Sequence, residues 1–365
     1  MLIAIIVIVG LSILILGHEA GHFLAAKLFG LKVDEFGFGF PPRIFAWRHK
    51  KVPRKSASSL RESAVFGETE YSFNWLPFGG FVKIAGEEEQ ITNPEELASL
   101  PAEEKKRYFL FQPAWKRFIV IGCGVFVNFL IGWAMASLVF MIGTPTLLIV
   151  SGVEPGSPAD NAGILSGDII KNYSNSKDFI GFINQHRGQP VNLDIMRGDK
   201  EISISAVPRI STGPDEGALG VAFSESGVKS EGFFAAARDG FNESIFIVGA
   251  TISAFYDLAK NLILHGSLMA GIVGPVGIFS VAEKTGQAGM IYLIQLIGLI
   301  SLNLAVVNLI PFPALDGGRL FLIVIEKIKG SPVSVKAQSY INGVGFVFLL
   351  LLMAVVTVRD VVNLF

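Results

Sequence analysis

His18-Glu19-Ala20-Gly21-His22 sets two imidazoles four residues apart with a carboxylate beside the first. On a helix that spacing puts both rings on one face, one turn apart, where two nitrogens can chelate zinc and the glutamate can act as a general base. With five histidines in 365 residues, shuffling gives the pattern on the order of 0.004 times. The bland alternative is a pair of core histidines satisfied by neighbouring helices. A catalytic zinc also needs a third protein ligand and a position open to water. Asn308-Leu-Ile-Pro311-Phe-Pro313-Ala-Leu-Asp316-Gly317-Gly318 offers Asp316, at the end of an apolar run that otherwise holds no acid. A solvated turn residue is the competing reading for it. Asn308 can donate and accept, so it can hold a substrate backbone or bond a neighbouring helix, and Asn128 admits the interhelical reading too.

The elements that must position these groups are membrane spans. Hydrophobic content is 51%, charge 17% and mean hydropathy +0.54, which does not describe a soluble chain. Thirty basic against thirty-one acidic residues leave a net charge of −1, so nucleic acid is not an expected partner. The single cysteine, Cys123, cannot form an intrachain disulfide or a multi-thiolate site, so a metal here is held by nitrogen and oxygen. Runs able to cross about 30 Å of hydrocarbon occur at 1–26, 118–142, 288–315 and 337–358. The first has no basic residue before its apolar stretch and no small-residue cleavage site, and reads as a retained span.

Lys27, Lys32, Arg43, Lys105, Lys106, Arg107, Lys116 and Arg117 flank the first two spans on one side, whereas no Lys or Arg lies between Ile142 and Lys171. Because cations resist translocation, residues 27–117 are expected in the cytoplasm, with both termini and 143–287 outside. The stretch from Phe241 to Leu264 is apolar enough to threaten this count. Asn242, Glu243, Asp257 and Lys260 interrupt it and its apolar residues recur at helical spacing, as in a helix lying in the interface. His18 and Asp316 then reach similar depths toward the cytoplasmic side, each about 25 Å along a helix entering from outside.

These motifs resemble the site-2 protease family of intramembrane zinc metalloproteases, in the bacterial branch that includes RseP and RasP. The resemblance rests on His18 to His22, Gly124-Val-Phe-Val-Asn128-Phe129, Pro77-Phe-Gly-Gly-Phe-Val-Lys83, Gly274-Pro-Val-Gly-Ile278 and Asn308 to Gly318. It implies zinc on His18, His22 and Asp316, and Glu19 as the catalytic base. Val125, where many members have proline, departs from the pattern at the bend of the second span. Glu70 to Ile84 reads as two short strands around a Pro/Gly turn. The resemblance implies a β-loop dipping toward the site and pairing with an unwound substrate, so Phe78, Gly79 and Gly80 join Asn308 as candidate substrate-binding residues. A hairpin anchored at the interface by Trp75 and Phe78 is the alternative. Val153 to Ile170 looks like the start of a PDZ domain, with room for one by Arg209.

The expected fold is a polytopic α-helical membrane protein. It has four transmembrane helices, a membrane-associated β-loop and an inserted extracytoplasmic PDZ domain of α+β type. Residues 1–142 hold the first two spans and the β-loop, 143–210 the PDZ domain, 211–287 an extracytoplasmic amphipathic helical region and 288–365 the last two spans. The expected activity is cleavage of single-span membrane proteins within or near the transmembrane segment, such as anti-sigma factors or remnant signal peptides. Its expected setting is the bilayer of a bacterial cytoplasmic membrane, after an upstream site-1 protease has trimmed the substrate. An inactive PDZ-bearing scaffold, or an ion transporter using the intramembrane His and Asp, are the rival readings. A transporter would more often show internal repeats.

Overall fold

The computed structural model describes residues 2–48, 69–87, 100–198, 200–213, 216–265, 274–331 and 333–362, and within these the side chains of residues 77, 78, 262, 265, 275 and 335 are left aside. In chain order the elements begin with α1 (Leu2–Leu28), β1 (Val33–Arg48), β2 (Glu70–Ile84) and α2 (Ala114–Ile142). There follow β3 (Leu147–Val153), α3 (Pro158–Asn161), β4 (Ile169–Ile170), α4 (Ser176–Gln185), β5 (Val191–Arg197), β6 (Lys200–Ala206) and β7 (Val221–Ser226). The last are α5 (Phe233–His265), α6 (Pro275–Ala288), α7 (Met290–Leu309), α8 (Asp316–Lys329) and α9 (Val335–Val362). Among the described residues, four helices are long and apolar enough to cross a membrane: α1, α2, α7 and α9. The chain forms two compact units, one of Met1–Ser137 with Ala237–Phe365, the other of Leu138–Ala236.

In the first unit small residues let helices approach closely, the usual device where lipid removes the hydrophobic drive between them. Gly132 of α2 faces Leu302 of α7, and Gly298 of α7 faces Met135 of α2. The buried Ser301 hydroxyl donates to the Asn128 carbonyl at 2.7 Å. The third span ends sooner than the apolar run suggested: α7 stops at Leu309 and Ile310 leaves the helix. Pro311 and Pro313 follow, lacking the donors a helix would need. Helix α5 touches α2 where Phe241 packs on Trp133 with ring centroids 5.5 Å apart, and α7 where Thr251 donates to Asn303 at 2.7 Å. Those contacts lie ten residues, about 15 Å, apart on α5.

The β-loop is larger than the two short strands expected at 70–84. Glu35 to Phe38 pairs on one side with Gly80 to Lys83 and on the other with Tyr71 to Phe73, and Arg43 to Arg48 pairs with Glu70 to Asn74. The ladder order is therefore 43–48, 70–74, 35–38, 80–84, with 80–84 at an edge. Alternating glycine and the Pro41-Pro42 pair give β1 no strand pattern in the sequence. Its base is fixed by Glu35, which accepts from Lys83 and Arg43 at 2.6 Å each. Burial pushes the Glu35 carboxyl up, but the bonds from Lys83, Ser72 and Arg43 outweigh it and hold the group below its usual range.

In the second unit β6-β5-β4-β3-β7 form one antiparallel sheet. Val191, Leu193 and Ile195 alternate inward along β5 and meet Phe179 and Ile183, one turn apart on α4. Asn175 caps α4 by accepting from the Asp178 amide at 2.8 Å. The sheet runs past the 143–210 span expected for this domain. Its edge strand β7 lies beyond the Pro208 to Gly217 connection and pairs with β3. Only Val221, Ala222 and Phe223 are apolar in Val221–Ser226, too short an alternation to read as a strand.

Candidate metal centre and catalytic cavity

Helix α1 puts His18 and His22 one turn apart, as the spacing required, with ring centroids 4.7 Å apart. They can sit together because α1 and α2 meet almost backbone to backbone. A β-carbon on Gly21 would stand 2.5 Å from the Cys123 carbonyl oxygen, and one on Gly124 would strike both imidazoles. The same approach brings His22 Nδ1 to 2.9 Å from the Val120 carbonyl oxygen. A carbonyl only accepts, so Nδ1 carries the proton and Nε2 keeps a free lone pair.

Asp316 is the first residue of α8. The turn that presents it folds tightly on itself: Gly317 and Gly318 lie against the Ile310 and Phe312 carbonyls, where a side chain would collide with backbone. Ala314 adopts a left-handed φ of 71°, and its amide donates to Asn342 of α9 at 3.3 Å. The result aims Asp316 Oδ2 at the histidines, 2.9 Å from His18 Nε2 and 3.2 Å from His22 Nε2, while the two Nε2 atoms are 3.1 Å apart. Ligand atoms about 2.0–2.1 Å from a tetrahedral zinc stand roughly 3.3 Å from one another, so the triangle fits that ion. Asp316 Oδ2 is buried and, despite its closeness to both rings, makes no directed hydrogen bond. A cation satisfies that oxygen and both lone pairs together.

Glu19 stands outside the trio. Its Oε2 accepts from the Val82 backbone amide of the hairpin edge at 3.1 Å. An open cavity of about 340 Å³ is lined by His18, Glu19, His22, Phe81, Val82, Asn128, Asn308 and Asp316. Asn308 thus stands where substrate could meet it. Gly79 and Gly80 are close by but pack on Ile15 and Leu16 of α1, so it is the next residues, Phe81 and Val82, that line the cavity. Phe78 lies in β2, with its side chain outside the described residues. Glu87 and Arg319, paired at 2.6 Å, also line the cavity and were not among the expected site residues. Arg319 had a signal, three residues after Asp316 on one helix face. Val82 contributes a backbone amide, which no side-chain pattern announces.

The profile of peptidase family M50 matches residues 6–352. A Clostridium perfringens protein named provisionally as a zinc metalloprotease is 31% identical over 364 residues, covering 98% of this chain and 98% of its own. Zinc metalloprotease RasP of Shouchella clausii is 30% identical, with 97% of each chain covered. The regulator of sigma-W protease RasP of Bacillus subtilis is 26% identical, covering 100% of this chain and 98% of its own. Since the match runs through the histidine turn and through Asp316 alike, this chain belongs to peptidase family M50, the site-2 proteases, as a multi-pass membrane zinc metalloprotease.

Proposed function

We propose that this intramembrane protease cuts single-span membrane proteins within or near their transmembrane helix, with His18, His22 and Asp316 holding zinc and Glu19 acting as base. The observation that carries this reading is the convergence of two imidazole nitrogens and a carboxylate oxygen, none more than 3.2 Å from another, in the cavity that Glu19 lines. When bound, zinc supplies Lewis acidity, which polarises a carbonyl and makes water more acidic. Glu19 takes the proton from the attacking water as the new C–O bond forms. It then gives that proton to the leaving nitrogen as the C–N bond breaks. Asn308 holds the substrate backbone in the cavity.

A peptide bond inside a helix is shielded by its own hydrogen bonds, and an edge strand can take those bonds over. The hairpin edge at 80–84 is suited to this, with Phe78, Gly79 and Gly80 forming the approach to it. We read the Leu138–Ala236 unit as a PDZ domain. Its support is the antiparallel sheet with α4 beside β7, and a groove of about 260 Å³ lined by Phe179, Ile183, Leu219, Val221 and Phe223. The distribution of Lys and Arg supports a cytoplasmic hairpin, with this unit and both termini outside a bacterial cytoplasmic membrane. There the unit would act as a size filter for substrates already trimmed by a site-1 protease. The Bacillus subtilis relative is named a regulator of sigma-W protease, which supports anti-sigma factors as one substrate class, beside remnant signal peptides.

Glu19→Gln in purified full-length protein should abolish cleavage and leave the zinc content unchanged, because Glu19 is a base and not a ligand. Asp316→Asn should lower both. Turnover retained by Glu19→Gln would remove the base assignment, and stoichiometric zinc with full activity in Asp316→Asn would remove the third ligand.

A further inference from the structure

The two histidines are held in different ways. His22 is oriented by a main-chain carbonyl, that of Val120. His18 has a side chain in that place: the Asn128 amide, on α2, lies with Nδ2 3.3 Å from His18 Nδ1. Asn128 is 1% exposed, and its Oδ1, at the other end of the same amide, is buried and accepts no hydrogen bond. A half-turn about Cβ–Cγ exchanges the two ends of an amide and moves nothing else. An imidazole that gives its Nε2 lone pair to a cation carries its proton on Nδ1, so an acceptor must stand there. The amide oxygen of Asn128, buried and without a hydrogen-bond partner, is free to serve.

We propose that Asn128 is the positioning residue of the metal site, its amide oxygen accepting the Nδ1–H of His18 and so fixing that ring's tautomer and orientation. The main-chain carbonyl of the same residue accepts from Ser301 of α7, a packing contact between α2 and α7 that is separate from the side-chain amide. This inference rests on the reading of His18, His22 and Asp316 as zinc ligands.

The test is zinc affinity of the purified full-length protein, by competition with a chelator, together with the visible spectrum of the cobalt-substituted protein. Asn128→Leu keeps the volume and removes the acceptor. It should bind zinc about 10- to 100-fold more weakly, the usual effect of losing such a partner, with an altered cobalt spectrum. Asn128→Asp restores an acceptor and should hold zinc at least as tightly as the wild type to within a few-fold. Ser301→Ala disturbs the contact between α2 and α7 without touching the amide, and should leave the affinity unchanged. Wild-type affinity and spectrum in Asn128→Leu would overturn the proposal. So would equal losses in the Leu and Asp variants, or in the Leu and Ser301→Ala variants, because packing alone would then account for the effect. His22→Ala separates the two levels: if it strips zinc while Asn128→Leu does not, only the role of Asn128 fails, and if it keeps zinc, the ligand set fails with it.

Discussion

Gly124→Ala is a one-carbon test of the metal centre. A β-carbon at that position would strike His22 Nε2 and would lie 2.6 Å from His22 Cε1 and 2.8 Å from His18 Cε1. Comfortable carbon contacts begin at about 3.5 Å, so both rings must give by at least roughly 0.7–0.9 Å. Neither ring is a loose chain end. His22 is bonded to the Val120 carbonyl, His18 lies against Asn128, and α1 is pressed on the α2 main chain at Gly21. Forcing an extra carbon into such packing costs about 1–3 kcal/mol. If the strain falls on the ligand geometry, zinc affinity drops about 5- to 150-fold.

Gly122→Ala is the matched control, because a β-carbon there meets nothing within 4 Å. Chelator competition on the two variants, with melting followed in the same detergent, separates a damaged site from a damaged fold. Expected is a melting temperature near wild type for both, with weakened zinc binding in Gly124→Ala alone. Equal, wild-type affinity in the two variants would refute the reasoning, since it would mean that the helices part easily at this crossing.

Gly80→Pro should lower cleavage at least about tenfold without stripping zinc. It removes a backbone donor from the hairpin edge, where a β-carbon would already lie 2.7 Å from Leu16 Cδ2 and from the Gly37 carbonyl oxygen; an unchanged rate in folded protein would leave the hairpin as an interfacial anchor. Replacing the whole sheet, residues 147–226, by a flexible linker should keep zinc binding and cutting of pre-trimmed substrate while admitting untrimmed substrate, and loss of cutting of trimmed substrate in zinc-loaded protein would show recruitment instead. A shorter excision at 152–209 would strand β7 without most of its sheet, and is the wrong variant for that test. Within this unit Arg197 donates to Asp168 at 2.7 and 2.8 Å, which outweighs the cost of burial and holds the Asp168 carboxyl below its usual range. Its contribution to stability is therefore complete above the unfolded carboxyl value of about 3.9 and is lost as pH falls toward the depressed folded value. Asp168→Asn should flatten that acid limb when hydrogen exchange of β5 is followed against pH.

What the sequence disclosed of the site follows from the range of each interaction. His18 and His22 share one helix turn, and helical spacing announces them directly. Asp316 lies far along the chain, yet the prolines and glycines that must turn the backbone around it are its sequence neighbours, so the local pattern marks the place. Three other contacts join residues far apart in sequence: Val82 with Glu19, Asn128 with His18, and Gly124 with both rings. The first is a backbone donor, which no residue type announces, while the sequence marks Gly124 and Asn128 only as a motif of the family resemblance, without a place in the site. The spans were legible because a bilayer imposes length and hydrophobicity on each helix alone. The hairpin was only half legible, since β1 is built from Phe-Gly alternation ending in two prolines. It is held as a strand by partners on both sides and not by its own propensity.

The ladder order gives the hairpin a role that its two halves alone would not. Because 80–84 is an edge, the Val82 amide points away from the sheet, and Glu19 takes it at 3.1 Å. Phe36 and Val82 are therefore a non-hydrogen-bonded pair of the ladder, and the two-residue period turns the Gly80 amide outward as well. A substrate strand joining this edge needs the donor that the base is holding, so its carbonyl and the Glu19 carboxylate compete for one N–H. Under the proposed mechanism, pairing would free Glu19 beside the strand and so link proton transfer to a correctly seated backbone. Glu19→Gln keeps an oxygen able to accept from Val82. That substitution removes the proton transfer while leaving the competition in place, whereas Glu19→Ala removes both, and the two variants differ in how readily substrate pairs with the edge.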